Sequence, residues 1–341
     1  MRPLPLAATL AVLATAVTGT VTGTALPAAA QTTIRVASFT PEGAVGVRFV
    51  MKPWMEAVEA ELGERVNMIP FWGGALGSNP FDQFDLVRNG VVDVAWVLSG
   101  YTPGQFPQIN VTELPFAVAS GEEASVVGWR LVEQGLVDGL DDVHVLTFWT
   151  PDITNVHLRA PVEGLEDLRG TALRTAGATQ AMFVEMIGAA PQVLGSVEAN
   201  EAMQRGTIDG QLQGWTGMQT FGGFAVSDVT YRVPLGASPF FLLMNKELWD
   251  SLDADVQEVM MRHGGEALAR SGGRAYDDLT REIIERRLGE GHTVIDATPE
   301  KIAQYQETHG ALYENWAAGT PDGPEVFNTF LQLIEEYRAG N

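Results

Sequence analysis

Cysteine is missing altogether from this chain. Its absence excludes disulfides, thiolate metal sites and a lipid-bearing cysteine at a processed N-terminus. A chain of roughly 300 residues buries enough apolar surface to fold without cross-links. Lysine is nearly missing too. Lys52, Lys246 and Lys301 are the three present, so arginine carries almost all the positive charge. Positive charge is itself in deficit, with 21 Lys+Arg against 43 Asp+Glu and a net charge of −22. Such a surface repels nucleic acid and anionic lipid and favours solubility. The five histidines (His144, His157, His263, His292 and His309) are scattered, none with a second ligand type at a metal-binding spacing. No metal and no cofactor are expected. There is no Gly-x-Ser-x-Gly elbow and no phosphate-loop signature. Gly73 to Gly77 lacks the spacing of a dinucleotide fingerprint. No nucleophile–base pair is visible, so the sequence points away from an enzyme. Beyond residue 30, no stretch approaches the ~18–20 apolar residues of a membrane-spanning helix.

The first thirty residues contain the one long apolar stretch. Met1-Arg2 begins it, Leu6 to Val21 is rich in Leu, Ala, Val and Thr, and Ala28-Ala29-Ala30 supplies small residues for cleavage before Gln31. This is the pattern of a secretory leader. The expectation is a cleaved signal peptide over 1–30 and a mature protein that diffuses freely in the periplasm.

What the remainder has is a phrase used twice. Arg88-Asn89-Gly90-Val91-Val92-Asp93 and Arg205-Gly206-Thr207-Ile208-Asp209-Gly210 each stop a helical pattern at a glycine and place an aspartate three residues later. Glycine past a helix end adopts the left-handed conformation that turns the chain toward a strand. Two such returns predict two α/β lobes of similar construction with a ligand cleft between them. Strands are expected near Thr33–Ser38, Val66–Phe71, Val91–Leu98, Val143–Trp149, Val156–Arg159, Ala172–Thr175, Gln192–Leu194, Thr207, Thr230–Val233 and Phe240–Met244. From Lys246 onward the pattern is helical, with Asp255–Arg287 as one or two long helices broken near Gly272-Gly273.

Arg174 lies inside a short apolar strand, where an arginine is costly to bury without a negative partner. Two readings stay open: an internal salt bridge, with Glu198 the obvious partner, or a ligand carboxylate gripped by the guanidinium fork. Large rings gather at predicted strand ends: Trp72, Trp96, Phe148, Trp149 and Trp215. Gln180 and Gln213 add amides. The carboxyl ends of strands are where open α/β sheets bind ligands. One cation beside apolar walls suits a monocarboxylate with an apolar, aromatic or zwitterionic body better than a diacid, whose second carboxylate would lack a partner.

The order of motifs from Thr33 to Arg338 resembles the substrate-binding proteins of tripartite ATP-independent periplasmic (TRAP) transporters, of the four-carbon-dicarboxylate-binding type. The resemblance rests on Gly74 to Gly77, Gly90 to Asp93, Glu113-Leu114-Pro115-Phe116, Leu165 to Gly170 leading to Leu173-Arg174, Glu198 to Met203, Gly206 to Gly210 and Met244-Asn245-Lys246. It implies that Arg174 binds the substrate carboxylate, with Gln213 where many members carry an amide. It also implies an α/β two-lobe periplasmic binding protein with discontinuous lobes, hinge strands at Phe148–Asn155 and Phe240–Asn245, and a long bracing helix. The lobes would comprise 31–151 plus about 241–280, and 152–240 plus about 281–341. The implied partners are a small carboxylate and the membrane permease of an ion-gradient-driven transporter, served by a monomer. A binding protein of an ATP-driven transporter, or a periplasmic enzyme acting on small organic acids, is the alternative.

Overall fold

The computed structural model describes residues 31–340, so the expected leader over 1–30 lies outside the described residues. Eleven strands are described: β1 Thr32–Ala37, β2 Val66–Phe71, β3 Val94–Leu98, β4 Val143–Trp149, β5 Asn155–Leu158, β6 Ala172–Thr175, β7 Ala190–Val193, β8 Gly210–Gln213, β9 Val229–Arg232, β10 Phe240–Asn245 and β11 Thr293–Asp296. They form two sheets, ordered β2-β1-β3-β10-β4 and β11-β9-β5-β8-β6-β7. β1 pairs in parallel with β2 and β3, and β6 with β7 and β8, while β10 and β5 run antiparallel to their neighbours. All five residues of β3 are buried, as its continuous apolar run requires.

The repeated phrase does the same work in both sheets. Gly90 and Gly206 have φ of 67° and 73°, in the left-handed region. The Asp93 N–H donates to the Arg35 carbonyl at 3.0 Å, and its carboxylate accepts the Arg35 N–H at 2.6 Å. The Asp209 N–H donates to the Ala172 carbonyl at 2.8 Å, and its carboxylate accepts the Ala172 N–H at 2.8 Å. Each aspartate thus ties the chain before a strand to the parallel strand beside it. Asp93 also holds the Arg35 guanidinium at 2.7 Å. Asp93→Ala should therefore destabilise the protein by about 1–3 kcal/mol in urea unfolding, because a partly buried N–H loses its acceptor. Asp209→Ala should lose about 1 kcal/mol, since its bond is exposed. Equal losses would contradict this account.

Three expectations about the chain's course need correction. Phe240–Asn245 does not cross between lobes: β10 lies wholly within the first sheet, paired with β3 and β4. Phe148–Asn155 is not one strand either, but the end of β4, an irregular stretch and the start of β5. The crossings run through 150–154 and 233–239. The helical break falls at His263-Gly264, between helices Ala254–Arg262 and Gly265–Gly289. Gly272 and Gly273 instead lie inside the second helix, where it meets its neighbours most closely. A Cβ on Gly273 would stand 2.5 Å from the Gly121 carbonyl oxygen, and one on Gly272 2.8 Å from Val50. Glycine is there for close approach, not to end the helix.

Helix Gly265–Gly289 packs on helix Gly121–Glu133 of the first lobe and helix Trp215–Phe221 of the second, bracing both. It then feeds β11, a strand hidden from sequence reading between helical segments, which joins the edge of the second sheet beside β9. The last helices are not confined to the second lobe as expected. Tyr305 hydroxyl accepts the Leu165 N–H at 3.0 Å there, but Tyr313 reaches the Pro115 carbonyl at 2.5 Å and Arg338 pairs with Glu123 at 2.6 Å in the first.

Candidate ligand-binding site

Alternation along β6 sends Leu173 into the apolar core and Arg174 to the opposite face, toward the first lobe. Arg174 is 2% exposed, and each of its hydrogen-bond partners among the described residues is neutral. Nε donates to the Leu194 carbonyl at 2.8 Å and Nη1 to the Leu212 carbonyl at 3.0 Å, two backbone contacts that fix its plane. Its remaining contacts are side chains able to rotate away: Gln213 Oε1 at 3.1 Å, Tyr101 hydroxyl at 2.9 Å and Ser196 Oγ at 3.5 Å. Glu198 is not the partner. Its carboxylate accepts the Gly195 N–H at 3.2 Å and caps helix Ser196–Arg205. Among the described residues no carboxylate pairs with Arg174.

Arg174 borders a cavity with about 650 Å³ of empty space, its mouth included. Its other walls combine six rings with hydroxyl and amide side chains and small apolar residues. From the first lobe come Phe39, Trp96, Tyr101 and Phe240, with Tyr276 from the bracing helix and Phe221 from the second lobe. Trp96 packs on Phe240 and Phe39 with centroids 5.1 and 5.8 Å apart. Among the described residues, Arg174 is the only charged one in the lining. Below the rings the two backbones nearly touch: a Cβ on Gly100 would lie 2.8 Å from the Ala176 carbonyl oxygen, and one on Gly177 2.8 Å from the Gly100 Cα.

Of the residues singled out from sequence, Arg174, Gln213, Gln180 and Trp96 border this cavity, and Trp72, Phe148, Trp149 and Trp215 do not. Phe148 and Trp149 are successive residues of β4, so they face opposite sides of the sheet. Phe148 packs on Phe241 at 5.4 Å in one core, and Trp149 forms a second layer behind Trp96 and Phe240 in the other. Trp72 packs on that same first-lobe core. Trp215 turns away: its indole N–H donates to Asn155 at 2.8 Å, and its ring borders a separate groove on the hinge side. Phe39, Tyr101, Ser196 and Tyr276 went unread. Tyr101 follows the end of β3, so the strand-end rule that pointed to Trp96 applied to it equally. Nothing local marks Tyr276, which arrives from a helix 180 positions beyond Trp96.

The crossing at 150–154 is tied to the cavity wall by Asp152. Its carboxylate accepts the Trp215 N–H at 2.6 Å and the Thr216 hydroxyl, stabilising the start of helix Trp215–Phe221. Burial pushes this carboxyl up to about 6, against the pull of those hydrogen bonds. His157 on β5 is fully buried and held neutral by burial, down to about 3. One ring nitrogen meets the Gln213 carbonyl at 3.1 Å and the other the Thr230 hydroxyl at 2.8 Å, which fixes the backbone of Gln213. No group of three or more metal-binding residues occurs among the described residues.

Two discontinuous sheets, a bracing helix and an arginine at a buried cleft are the frame that comparison tests. Residues 36–320 match the family model of DctP, the bacterial extracellular solute-binding protein family 7. The chain belongs to that family. It is a solute-binding protein of the DctP, TRAP type. The chain is 25% identical over 279 residues to the outer membrane transporter protein TsaT of Comamonas testosteroni, covering 79% of this chain and 80% of the relative. A marine metagenome TRAP solute-binding protein, specific for aromatic acid ligands and crystallised with 3-hydroxybenzoate, superposes with a TM-score of 0.85. It is 28% identical, over 90% of this chain and 99% of that one. The fold is shared equally with a TRAP solute-binding protein from Rhodoferax ferrireducens T118, in complex with benzoate. There the TM-score is 0.85 at 23% identity, over 91% and 99% of the chains. Members of the DctP family are extracytoplasmic, and no described helix is long and apolar enough to cross a membrane.

Proposed function

We propose that this protein captures a monocarboxylate with an aromatic or similarly apolar body, in the periplasm and as a monomer, for delivery to a TRAP permease. The observation that carries the reading is Arg174, buried among neutral hydrogen-bond partners at the wall of a cavity that six rings help to line. A buried cation with no carboxylate bonded directly to it is unfavourable, and a ligand carboxylate relieves it through two parallel N–H···O bonds. The carboxylate would replace Gln213 Oε1 and Tyr101 hydroxyl on Nη1 and Nη2, while the Leu194 and Leu212 carbonyls keep the fork oriented. With no second cation in the lining, the far end of a diacid would be buried unpaired. The 28%-identical relative's preference for aromatic acids supports the same choice.

A thermal-shift panel tests this. At a hundredfold excess over its dissociation constant, a true ligand stabilises by about 2.7 kcal/mol. Benzoate, 3-hydroxybenzoate or mandelate should raise the transition, and succinate, malate, fumarate and betaine should leave it in place. A shift with the four-carbon diacids alone would overturn the reading.

A further inference from the structure

Glu113 has no part in the site as described, yet, like Asp152, it is a buried carboxyl hydrogen-bonded directly to residues that border the cavity. It ends the turn Gln108–Glu113 in the first lobe and is 1% exposed. Its Oε1 accepts the Ser238 hydroxyl at 2.9 Å and the Gln180 amide at 3.1 Å, and its Oε2 has no partner among the described residues. Ser238 and Gln180 both border the cavity. Gln180 in turn accepts the N–H of Ala176, two residues beyond Arg174, at 2.8 Å. Glu113 is therefore one hydrogen bond from the ligand space.

The groups around it leave one charge in play. Helix Ala178–Met186 presents Gln180, the crossing at 233–239 presents Ser238, and β6 supplies Arg174, whose positive charge acts on the carboxyl. Helix Gly121–Glu133 contributes Glu123, which is spent on Arg338 of the last helix and on the N–H of Ala119. Burial pushes Glu113 up to about 7, while Ser238, Arg174 and Gln180 hold it down.

We infer that the protein takes up a proton together with its ligand anion, and that Glu113 is where this proton is held. The inference rests on Arg174 being the carboxylate anchor. In the empty site the guanidinium favours the ionised carboxyl of Glu113. A ligand carboxylate on Arg174 cancels that field and brings a second negative charge into a dry space, and like charges so placed do not both stay ionised. A proton from solvent then converts the Glu113 carboxylate to the acid. Gln180 and Ser238 still donate to its other oxygen, so nothing need move. Arg174 then offsets the ligand's charge and the proton removes that of Glu113, so the net charge of the site is the same with and without ligand.

The sign is definite. Binding raises the affinity of Glu113 for a proton, so ligand affinity falls as pH rises above the ligand-free value near 7 and levels off above the liganded one. In that window the association constant should approach a tenfold loss per pH unit. Calorimetry with benzoate, in buffers of different ionisation enthalpy between pH 6 and 9, reads the proton count directly. Wild type should take up a large fraction of one proton near pH 7.5. Glu113→Gln, an isosteric mimic of the protonated acid, should take up none and bind benzoate more tightly than wild type at pH 8.5. Infrared difference spectra of wild type should show a carboxylic-acid C=O band appearing with benzoate, a readout independent of how the variant folds. Benzoate binding without proton uptake, or uptake that persists in Glu113→Gln and so belongs to another group such as Asp152, overturns this inference and leaves the anchor reading intact. No benzoate binding at any pH removes both.

Discussion

Arg174→Ala should cost at least about thirtyfold in ligand affinity. Removing one partner of a buried, hydrogen-bonded charge pair loses roughly 2–5 kcal/mol, much of it from leaving the other charge unpaired. Arg174→Lys should recover little, because an ammonium cannot offer two parallel N–H groups from one plane. The empty variants also lose a donor to the Leu194 and Leu212 carbonyls, so absolute melting temperatures mix two effects. The clean quantity is the calorimetric dissociation constant for the ligand that the thermal-shift panel selects, supported by the ligand-induced shift within each variant. An Arg174→Ala protein that binds that ligand as wild type does would remove the guanidinium from the site.

The second large effect should come from residues that touch no ligand. Gly100 and Gly177 bring the backbones of the two lobes together beneath the cavity, and a Cβ on either lies within 2.8 Å of backbone across the gap. Backbone does not rotate away as a side chain can. Gly177→Val and Gly100→Val should therefore hold the lobes apart, lengthening the path from Tyr101 to Arg174 and weakening binding by tenfold or more, in the manner of other defects of about 1.4 kcal/mol or above. Scattering separates this from general damage. Wild type should contract on ligand addition, as hinge closure requires, and the valine variants should keep the larger radius of gyration while melting cooperatively. Contraction equal to wild type in both variants would show that the close approach does not govern closure.

Much of this fold is written in local pattern. Gly90 and Gly206 turn where a residue past a helix end must leave right-handed space, and their aspartates sit at the same place in both sheets because the constraint there is local. The buried run of β3 and the bounds of β4 and β6 follow from period and turn chemistry. β11 escaped because its pairing with β9 is decided by strands sixty positions earlier, and its four residues are not buried. Gly272-Gly273 misled for a related reason. A glycine pair reads as a helix break until the neighbour it must admit, Gly121, is known.

The site divides along the same line. An arginine flanked by apolar strand residues is legible as a group needing a negative partner, because burial of charge is unfavourable wherever the strand lies. Ring identity was legible and ring position was not. Phe148 and Trp149 differ by one residue, yet the pleat sends one to each core, and neither reaches the cavity. Whether Arg174 faces Glu198 or an empty space depended on helix Ser196–Arg205, whose first turn claims Glu198 for its own N–H groups. The sequence by itself determined two α/β lobes, the lack of thiol chemistry, and one buried cation in search of an anion. Only the tertiary structure decided which rings wall that cation, that Gly100 meets Gly177 beneath it, and that Glu113 lies one hydrogen bond away. These are meetings between segments tens to a hundred or more residues apart, set by packing across the lobes and not by any local preference.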